Sequence, residues 1–178
     1  MNPFLILTYF ILFLIVIILS YFFVIPFLFG APYDISRKKA LENIIKLANP
    51  KRGDKIAELG SGDGRVCIEL AKNGAEVHGF EFNIFLVWIS RRKIKKLGLE
   101  NKIFIHWKNF FNANLSKYNK VVFFQFKTIT KKIGEKLKKE LKPKSKVISH
   151  QWKIPNWKIK KKLGKFNYSY GEVYLYGV

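Results

Sequence analysis

The chain has 178 residues, of which about 148 remain once an apolar N-terminal segment is set aside, enough for one ordinary domain with little room for a second. Its single cysteine, Cys67, excludes an internal disulfide framework and a cysteine-based zinc site. The net charge of +21 fits either a basic surface that binds anionic lipid or nucleic acid, or a lysine-rich composition that only solvates the surface.

The first element is an uncharged apolar run from Phe4 to Phe29. It exceeds the ~20 residues that cross a bilayer as a helix. A cleaved signal peptide would need a preceding basic region, a shorter apolar core and a small-residue cleavage site, so residues 1–30 are predicted to be a transmembrane anchor. Because basic residues follow at Arg37–Lys39 and none precede the run, the remainder should lie in the cytoplasm of a single-pass protein of the cell membrane. The anchor also makes nucleic acid the less favoured partner.

Residues 31–178 are predicted to form one domain in which strands and helices alternate. Strands are predicted at Lys55–Leu59, Glu76–Glu81, Lys102–Trp107, Lys120–Phe126 and Lys146–His150. Four helices are predicted. The first runs from Asp34 or Ser36 to about Ala48, and the second from the glycine turn after the first strand to about Lys72. The third runs from about Asn83 to Leu97, and the fourth from about Thr128 to Leu141. The stretch Phe166–Tyr176 is predicted to be a closing hairpin. This order indicates βαβ units, a mainly parallel α/β sheet and a central, almost wholly apolar fourth strand.

A glycine turn follows the first strand, in the stretch Glu58–Gly64. Glycine is needed where the backbone takes positive φ or where a ligand approaches closely. The dinucleotide fingerprint would need a third glycine at Arg65, so that class of ligand is not favoured. The pattern acidic-x-G-x-G-x-G instead resembles motif I of the Rossmann-like methyltransferases that use S-adenosyl-L-methionine. The cofactor-binding candidates here are Glu58, Gly60, Ser61, Gly62, Asp63 and Gly64.

Two later residues extend this candidate cofactor site. Glu81 ends the second strand, 21 residues after Gly60, where a carboxylate can accept hydrogen bonds from both ribose hydroxyls. The alternative is a solvated strand end. Asn109 follows the third strand, where the methyltransferase resemblance implies an acidic residue that binds the adenine amino group, and its amide could take that role. The neighbouring aromatics could flank adenine, but at least two of them are expected in the core; they are Trp107, Phe110 and Phe111.

The domain also resembles a narrower family: the lysine methyltransferases of the mitochondrial ATP synthase c-subunit and the adenine nucleotide translocase, with their prokaryotic relatives. The motifs that carry the resemblance are Pro32-Tyr33, Leu59–Arg65, Gly79–Asn83 with Leu86, Ser90-Arg91, Leu115–Tyr118, Lys136-Leu137, Glu140-Leu141 and Pro155–Trp157. The resemblance implies methylation of a lysine on a membrane protein. The chain departs from the family pattern at Asn109, at Phe124–Phe126 and at Gln151–Lys153.

A lysine acceptor must lose its proton before it attacks a methyl group, because a free lysine has a pKa of about 10.4. Tyr33, before the first helix of the domain, and Gln125, at the end of the fourth strand, are predicted to face the methyl group. Tyr33 could equally be an interfacial aromatic. No metal site is expected, since His78, His106 and His150 do not cluster in the sequence.

Two other functions stay open. An anchored methyltransferase could act on a lipid or a small molecule, and an anchored domain of this fold could be an inactive binding module. The stretch Lys131–Lys146 could contact anionic lipid, although a solvated helix face explains it as well.

Overall fold

The computed structural model describes residues 2–29, 38–165 and 171–178. By its internal contacts the chain divides into two compact units, Met1–Asp34 and Ile35–Val178. Tyr33 and the two candidate helix caps, Asp34 and Ser36, lie outside the described residues.

The first unit contains one long helix, α1 (Pro3–Phe29). Its stretch Pro3–Ser20 is long and apolar enough to cross a membrane, by length and composition. The side chains of that stretch are exposed, as the apolar side chains of a helix that faces lipid would be.

The second unit is built on a seven-stranded sheet in the order β3-β2-β1-β4-β5-β7-β6. The strands are β1 (Lys55–Leu59), β2 (Glu76–Glu81), β3 (Ile103–Trp107), β4 (Lys120–Phe124), β5 (Lys146–His150), β6 (Lys161–Leu163) and β7 (Val173–Gly177). The first five are parallel, and β7 runs antiparallel to both of its neighbours. The predicted fold class is confirmed, with β4 in the middle of the sheet.

Helices cover both faces of this sheet. They are α2 (Lys38–Ala48), α3 (Arg65–Lys72), α4 (Ile84–Lys96) and α5 (Lys127–Glu140). Alternate residues of a strand point to opposite faces, so Ile56 belongs to the core cluster that contains residues of α2, α3 and α4, whereas the adjacent Ala57 belongs to the cluster that contains residues of α5. Both apolar layers are buried. Because β1 to β5 are parallel, their carboxyl ends lie along one edge of the sheet.

Three boundaries differ from the prediction, the smallest difference being that β3 begins at Ile103 instead of Lys102. β4 ends at Phe124, so Gln125 and Phe126 leave the strand although the apolar run continues through them. Besides β5, β7 pairs with β6, with Leu163 opposite Val173. The prediction placed the whole hairpin within Phe166–Tyr176; its first strand therefore lies earlier than expected, and residues 166–170 lie outside the described residues.

A buried ion pair closes the amino-terminal edge of the sheet. The Lys120 ammonium lies 2.5 Å from the Asp54 carboxylate and 2.9 Å from the Asn49 carbonyl oxygen. Asn119 donates a second hydrogen bond to Asp54, at 2.8 Å. Burial alone would raise the pKa of Asp54, but the hydrogen bonds from Lys120 and Asn119 hold it below its ordinary value.

Candidate functional site

The glycine turn joins β1 to α3 at the carboxyl edge of the sheet. Gly60, Gly62 and Gly64 have φ values of +79°, +54° and +80°, a region that side chains with a Cβ rarely adopt. The backbone amides of Gly60 and Ser61 both donate to the Phe80 carbonyl oxygen, at 2.8 and 3.1 Å. The turn is therefore fastened to the end of β2.

Gln125 lies against the other side of this turn. Its Nε2 donates to the Leu59 carbonyl oxygen at 3.0 Å, which links the end of β4 to the end of β1. A Cβ built on Gly60 would come within 2.1 Å of that nitrogen. Glycine at this position therefore makes room for the Gln125 amide as well as for the turn.

Glu81 lies beside the turn, as its spacing from Gly60 predicts. Its Oε2 accepts a hydrogen bond from the Gly62 amide at 2.9 Å, and its Oε1 accepts one from the Asn83 amide at 2.8 Å. Each carboxylate oxygen has two lone pairs, so both oxygens can accept a further hydrogen bond from a ligand hydroxyl. Glu81 thus bonds the turn and the segment before α4, and its predicted role toward a ribose stays a prediction.

Two other carboxylates of the motif bond to protein groups. Glu58 is buried between β1 and α3, where the Cys67 thiol donates to its Oε2 at 2.8 Å. Burial raises the pKa of Glu58 to about 8, so its neutral form dominates at pH 7. Burial, followed by the neighbouring Glu58, also raises the pKa of the Cys67 thiol well above its ordinary value, which agrees with the predicted packing role of that cysteine.

Asp63 is the second of these carboxylates. It accepts two hydrogen bonds from the Arg65 guanidinium, both at 2.9 Å, and lies 2.5 Å from the Lys93 ammonium on α4. Burial alone would raise the pKa of Asp63, but the hydrogen bonds and charges of Arg65 and Lys93 hold it well below its usual range. Asp63 thus ties the turn to α4, and its predicted role toward a cofactor stays a prediction.

Among the described residues, two buried polar side-chain atoms lack a hydrogen-bond partner, and both lie at this site. They are Ser61 Oγ and Gln125 Oε1. Both side chains are almost fully buried, and an unpaired buried polar atom costs roughly 1–3 kcal/mol. Buried polar atoms are nearly always paired in proteins, with protein, water or ligand, so these two atoms are places where a bound water or a ligand would supply a hydrogen bond.

The end of β3 supplies the next group along the edge. Asn109 Oδ1 accepts from the Phe111 amide at 2.9 Å and caps a 3-10 helix at Phe110–Asn112. Its amide nitrogen remains a donor of the type that an adenine ring nitrogen accepts. Phe110 and Phe111 pack partly buried against the core, as expected for two of the three aromatics, whereas Trp107 is exposed.

Two of the histidines meet, although they are 28 residues apart in the sequence. His78 Nδ1 lies 3.0 Å from His106 Nε2, because β2 and β3 are neighbouring strands. Burial lowers the pKa of both rings. Among the described residues, no group of three or more His, Cys, Asp or Glu side chains is placed to hold a metal ion.

Comparison with known proteins shows which family the sequence of this chain matches. Residues 58–161 match the model of the ANTKMT methyltransferase domain. The chain is 31% identical over 126 residues to the human ATP synthase c-subunit lysine N-methyltransferase, a match that covers 71% of this chain and 54% of that protein. It is 32% identical over 151 residues to a protein-lysine N-methyltransferase of Saccharolobus islandicus (strain REY15A), covering 82% of this chain and 92% of that protein.

The chain spans about half the length of the vertebrate c-subunit methyltransferases that it matches. Among solved structures, an RNA methyltransferase of Salinibacter ruber in complex with S-adenosyl-L-homocysteine superposes with a TM-score of 0.76. That match is 24% identical and covers 81% of this chain and 93% of the other. At this identity the likeness shows a shared fold.

Proposed function

Because the chain belongs to the ANTKMT methyltransferase domain family, we propose that it is a membrane-anchored, S-adenosyl-L-methionine-dependent methyltransferase that methylates a lysine side chain of a membrane protein. In this proposal residues 1–30 are a single-pass anchor in the cell membrane and residues 31–178 are a cytoplasmic catalytic domain. Relatives that methylate the ATP synthase c-subunit and other protein lysines support the choice of acceptor.

The residues at the carboxyl edge fit the cofactor. S-adenosyl-L-methionine supplies a methyl group activated by a positively charged sulfur. Glu81 would accept hydrogen bonds from the ribose hydroxyls, the turn Gly60–Gly64 would present its backbone, and the Asn109 amide would bond the adenine ring. Ser61 Oγ, which is buried and unpartnered among the described residues, would complete a hydrogen bond to the cofactor.

The acceptor amine would meet Gln125. Because Nε2 of Gln125 is fixed on the Leu59 carbonyl oxygen, Oε1 of the same amide is held as an acceptor at the end of β4. A neutral lysine amine has N–H groups to donate and one lone pair for attack. A hydrogen bond to Oε1 would orient that lone pair, so the acceleration would come from holding the reacting atoms in line. We propose Tyr33 as a second group facing the methyl, on its sequence position alone.

The location in the membrane is supported by two features of the chain. The first is α1, whose stretch Pro3–Ser20 has the length and composition of a membrane span. The second is the net charge of +21, which would attract the domain, including the stretch Lys131–Lys146, to anionic lipid headgroups. The basic residues that follow α1 favour a cytoplasmic domain.

The observation that carries the proposal is the placement of Glu81 and the unpartnered Gln125 Oε1 on the two sides of one glycine turn. The matched segment 58–161 spans these residues. A lipid or small-molecule methyltransferase would use the same cofactor residues, and an inactive binding module would keep the same fold. The three functions therefore differ in the methyl acceptor: a protein lysine, a lipid or small molecule, or no acceptor at all.

Labelled methyl transfer separates these functions. Membranes from cells that lack this chain would be incubated with the full-length protein and methyl-tritiated S-adenosyl-L-methionine, then divided into protein and lipid phases. We expect label in the protein phase, recovered as methyl-lysine after acid hydrolysis, and much less label with the Glu81→Ala variant at subsaturating cofactor. Label confined to the lipid phase would overturn the lysine acceptor, and no label in either phase would support a binding module.

A further inference from the structure

The side-chain amide of Gln125, which the proposed function places against the acceptor amine, has a fixed orientation. Its Nε2 donates to the Leu59 carbonyl oxygen at 3.0 Å. Because a carbonyl oxygen can only accept, the amide cannot be turned over without losing this hydrogen bond. The free end of the amide is therefore Oε1, an atom that accepts hydrogen bonds and donates none.

The surroundings of Gln125 keep that oxygen in place. The residue is 6% exposed, and a Cβ built on Gly60 would come within 2.1 Å of its Nε2, so the amide lies directly against the glycine turn. Oε1 is itself buried and has no hydrogen-bond partner among the described residues. An oxygen held in this way sets the position of any N–H group that bonds to it.

The number of N–H groups on the acceptor amine falls with each methyl transfer. In every transfer the amine lone pair forms a new N–C bond, the C–S bond of the cofactor breaks, and its electron pair stays on the sulfur of the departing S-adenosyl-L-homocysteine. The product ammonium then releases one proton to water before the nitrogen can react again. The neutral amine therefore has two N–H groups for the first transfer, one for the second and none for the third.

The third transfer conflicts with the position of Oε1. Since the lone pair points at the cofactor and Cε toward the rest of the acceptor, one of the other two substituents on nitrogen faces this oxygen. An N–H group there holds the nitrogen about 2.9 Å from Oε1. A methyl carbon is ~1.5 Å from the nitrogen and needs roughly 3.3 Å to an oxygen, so the nitrogen would have to retreat by ~2 Å. A misplacement of ~1 Å can already cost about 100-fold in rate.

We propose that Gln125 limits the product of this enzyme to dimethyl-lysine. The inference rests on the proposed function, in which Oε1 accepts from the acceptor amine, and it adds the number of methyl groups transferred. Monomethyl-lysine remains a substrate, because its N–H group bonds to Oε1 while its methyl group takes the other position. Dimethyl-lysine has no hydrogen left for Oε1 and accumulates.

Mass spectrometry of the product can test this limit. The full-length protein would be incubated with membranes from cells that lack this chain and with methyl-deuterated S-adenosyl-L-methionine. After acid hydrolysis the deuterated methyl groups on each lysine are counted, which excludes methylation that was present before. Once monomethyl-lysine has been consumed, we expect dimethyl-lysine to exceed trimethyl-lysine at least about tenfold.

Variants then assign the limit to Gln125. Gln125→Ala removes the oxygen and opens space for a third methyl group, and Gln125→Ser serves the same purpose because its hydroxyl is withdrawn from the amine. Both should react more slowly but raise the ratio of trimethyl-lysine to dimethyl-lysine at least about tenfold, compared at equal consumption of monomethyl-lysine. Glu81→Ala is the control, since weaker cofactor binding slows every transfer alike and leaves the ratio as in the parent. Unfolded protein makes no product, so the ratio does not depend on how much of a variant is folded.

Two results would overturn the proposal. The first is trimethyl-lysine as the main product of the parent chain. The second is a pair of Gln125 variants that stop at dimethyl-lysine as the parent does, since the limit would then have another cause. A parent chain that forms no methyl-lysine at all would instead remove the lysine acceptor of the proposed function, which distinguishes the two failures.

Discussion

Glu58 couples the stability of the fold to pH. Burial raises the pKa of its carboxyl from an ordinary 4.5 to about 8, so the folded chain holds this proton more tightly than the unfolded chain. The contribution of this proton to the free energy of unfolding is complete below pH ~4.5. It is lost as the pH rises toward 8, and the free energy of unfolding then decreases by up to about 1.4 kcal/mol per pH unit. Lowered carboxylate pKa values, such as that of Asp63, act in the opposite direction and only in acid.

The Glu58→Gln variant should therefore flatten this dependence. The free energy of unfolding of the variant minus that of the parent, measured by urea titration between pH 5 and pH 8, is expected to rise with pH. The reason is that a glutamine amide cannot ionise, while its oxygen can still accept from Cys67; the contributions of His78 and His106, whose pKa values are lowered, cancel in the difference. The exposed Glu100→Gln is the matched control and should follow the parent. Identical slopes for the parent and Glu58→Gln would show that Glu58 is already ionised in the folded protein.

At the scale of elements, the glycine turn and the end of β4 form one unit. The effects of substitutions at Gly60 and at Gln125 on the free energy of unfolding should be coupled, since a Cβ at Gly60 would collide with Gln125 Nε2. Gly60→Ala should displace the Gln125 amide from Leu59 and add backbone strain, destabilising the fold by roughly 2–4 kcal/mol. Gln125→Ala should cost about 1 kcal/mol through one lost hydrogen bond.

A double-mutant cycle measures this coupling. The combined variant removes the collision, so its loss of unfolding free energy should be smaller than the sum of the two single losses by roughly 1–2 kcal/mol. Gly53 provides the matched control, because it also has positive φ but a Cβ there would meet open space. The losses of unfolding free energy from Gly53→Ala and Gln125→Ala should simply add. If the losses from Gly60→Ala and Gln125→Ala also add, the side chain of residue 60 does not collide with Gln125.

Most elements were predictable because their signals are local. The strand Lys146–His150 has the predicted limits, and α4 begins and ends at the caps that Asn83 and Leu97 supply. The end of β4 was not predictable from its apolar run. Phe126 is the residue before the first turn of α5, and the Gln125 side chain donates to the Leu59 carbonyl oxygen, 66 residues earlier in the chain. A contact of that separation exists only after the sheet has formed.

At the candidate cofactor site, too, contacts between residues far apart in the chain were not predictable. The turn and Glu81 were predictable from spacing, since neighbouring parallel strands place their carboxyl ends together. The partners of Asp63 and Glu58 were not, because Lys93 lies 30 residues from Asp63 and the position of Cys67 predicts only a helical core residue. The sequence therefore predicted which residues lie together at the carboxyl edge of the sheet. It did not predict which of their polar groups form hydrogen bonds within the protein and which have hydrogen-bonding capacity left for a ligand.

In the domain as a whole, the buried ion pair and the candidate cofactor site lie at opposite edges of the sheet. The buried pair of Asp54 and Lys120 lies at the amino-terminal edge. Lys120→Met would leave the Asp54 carboxylate buried without its cation, which should cost roughly 3–5 kcal/mol of unfolding free energy. The affinity for S-adenosyl-L-methionine, measured where the variant remains folded, should not change.

Lys146→Met is the control for this prediction. Lys146 lies opposite Lys120 in the register of β5 with β4 but is exposed, so its loss should change the unfolding free energy by less than about 0.5 kcal/mol. A Lys120→Met protein as stable as the parent would show that the pair contributes little. A fall in cofactor affinity would show that the two edges are coupled.

The most direct test of the account is calorimetric titration of the full-length protein with S-adenosyl-L-methionine. We expect one binding site, weakened about 10-fold or more by Glu81→Ala, because charge-assisted hydrogen bonds to the ribose would be lost. Glu76→Ala, at the amino-terminal end of the same strand, should bind as the parent does, and thermal unfolding should show both variants folded. The absence of any binding heat at millimolar cofactor, or equal affinity of the parent and Glu81→Ala, would contradict the assigned site.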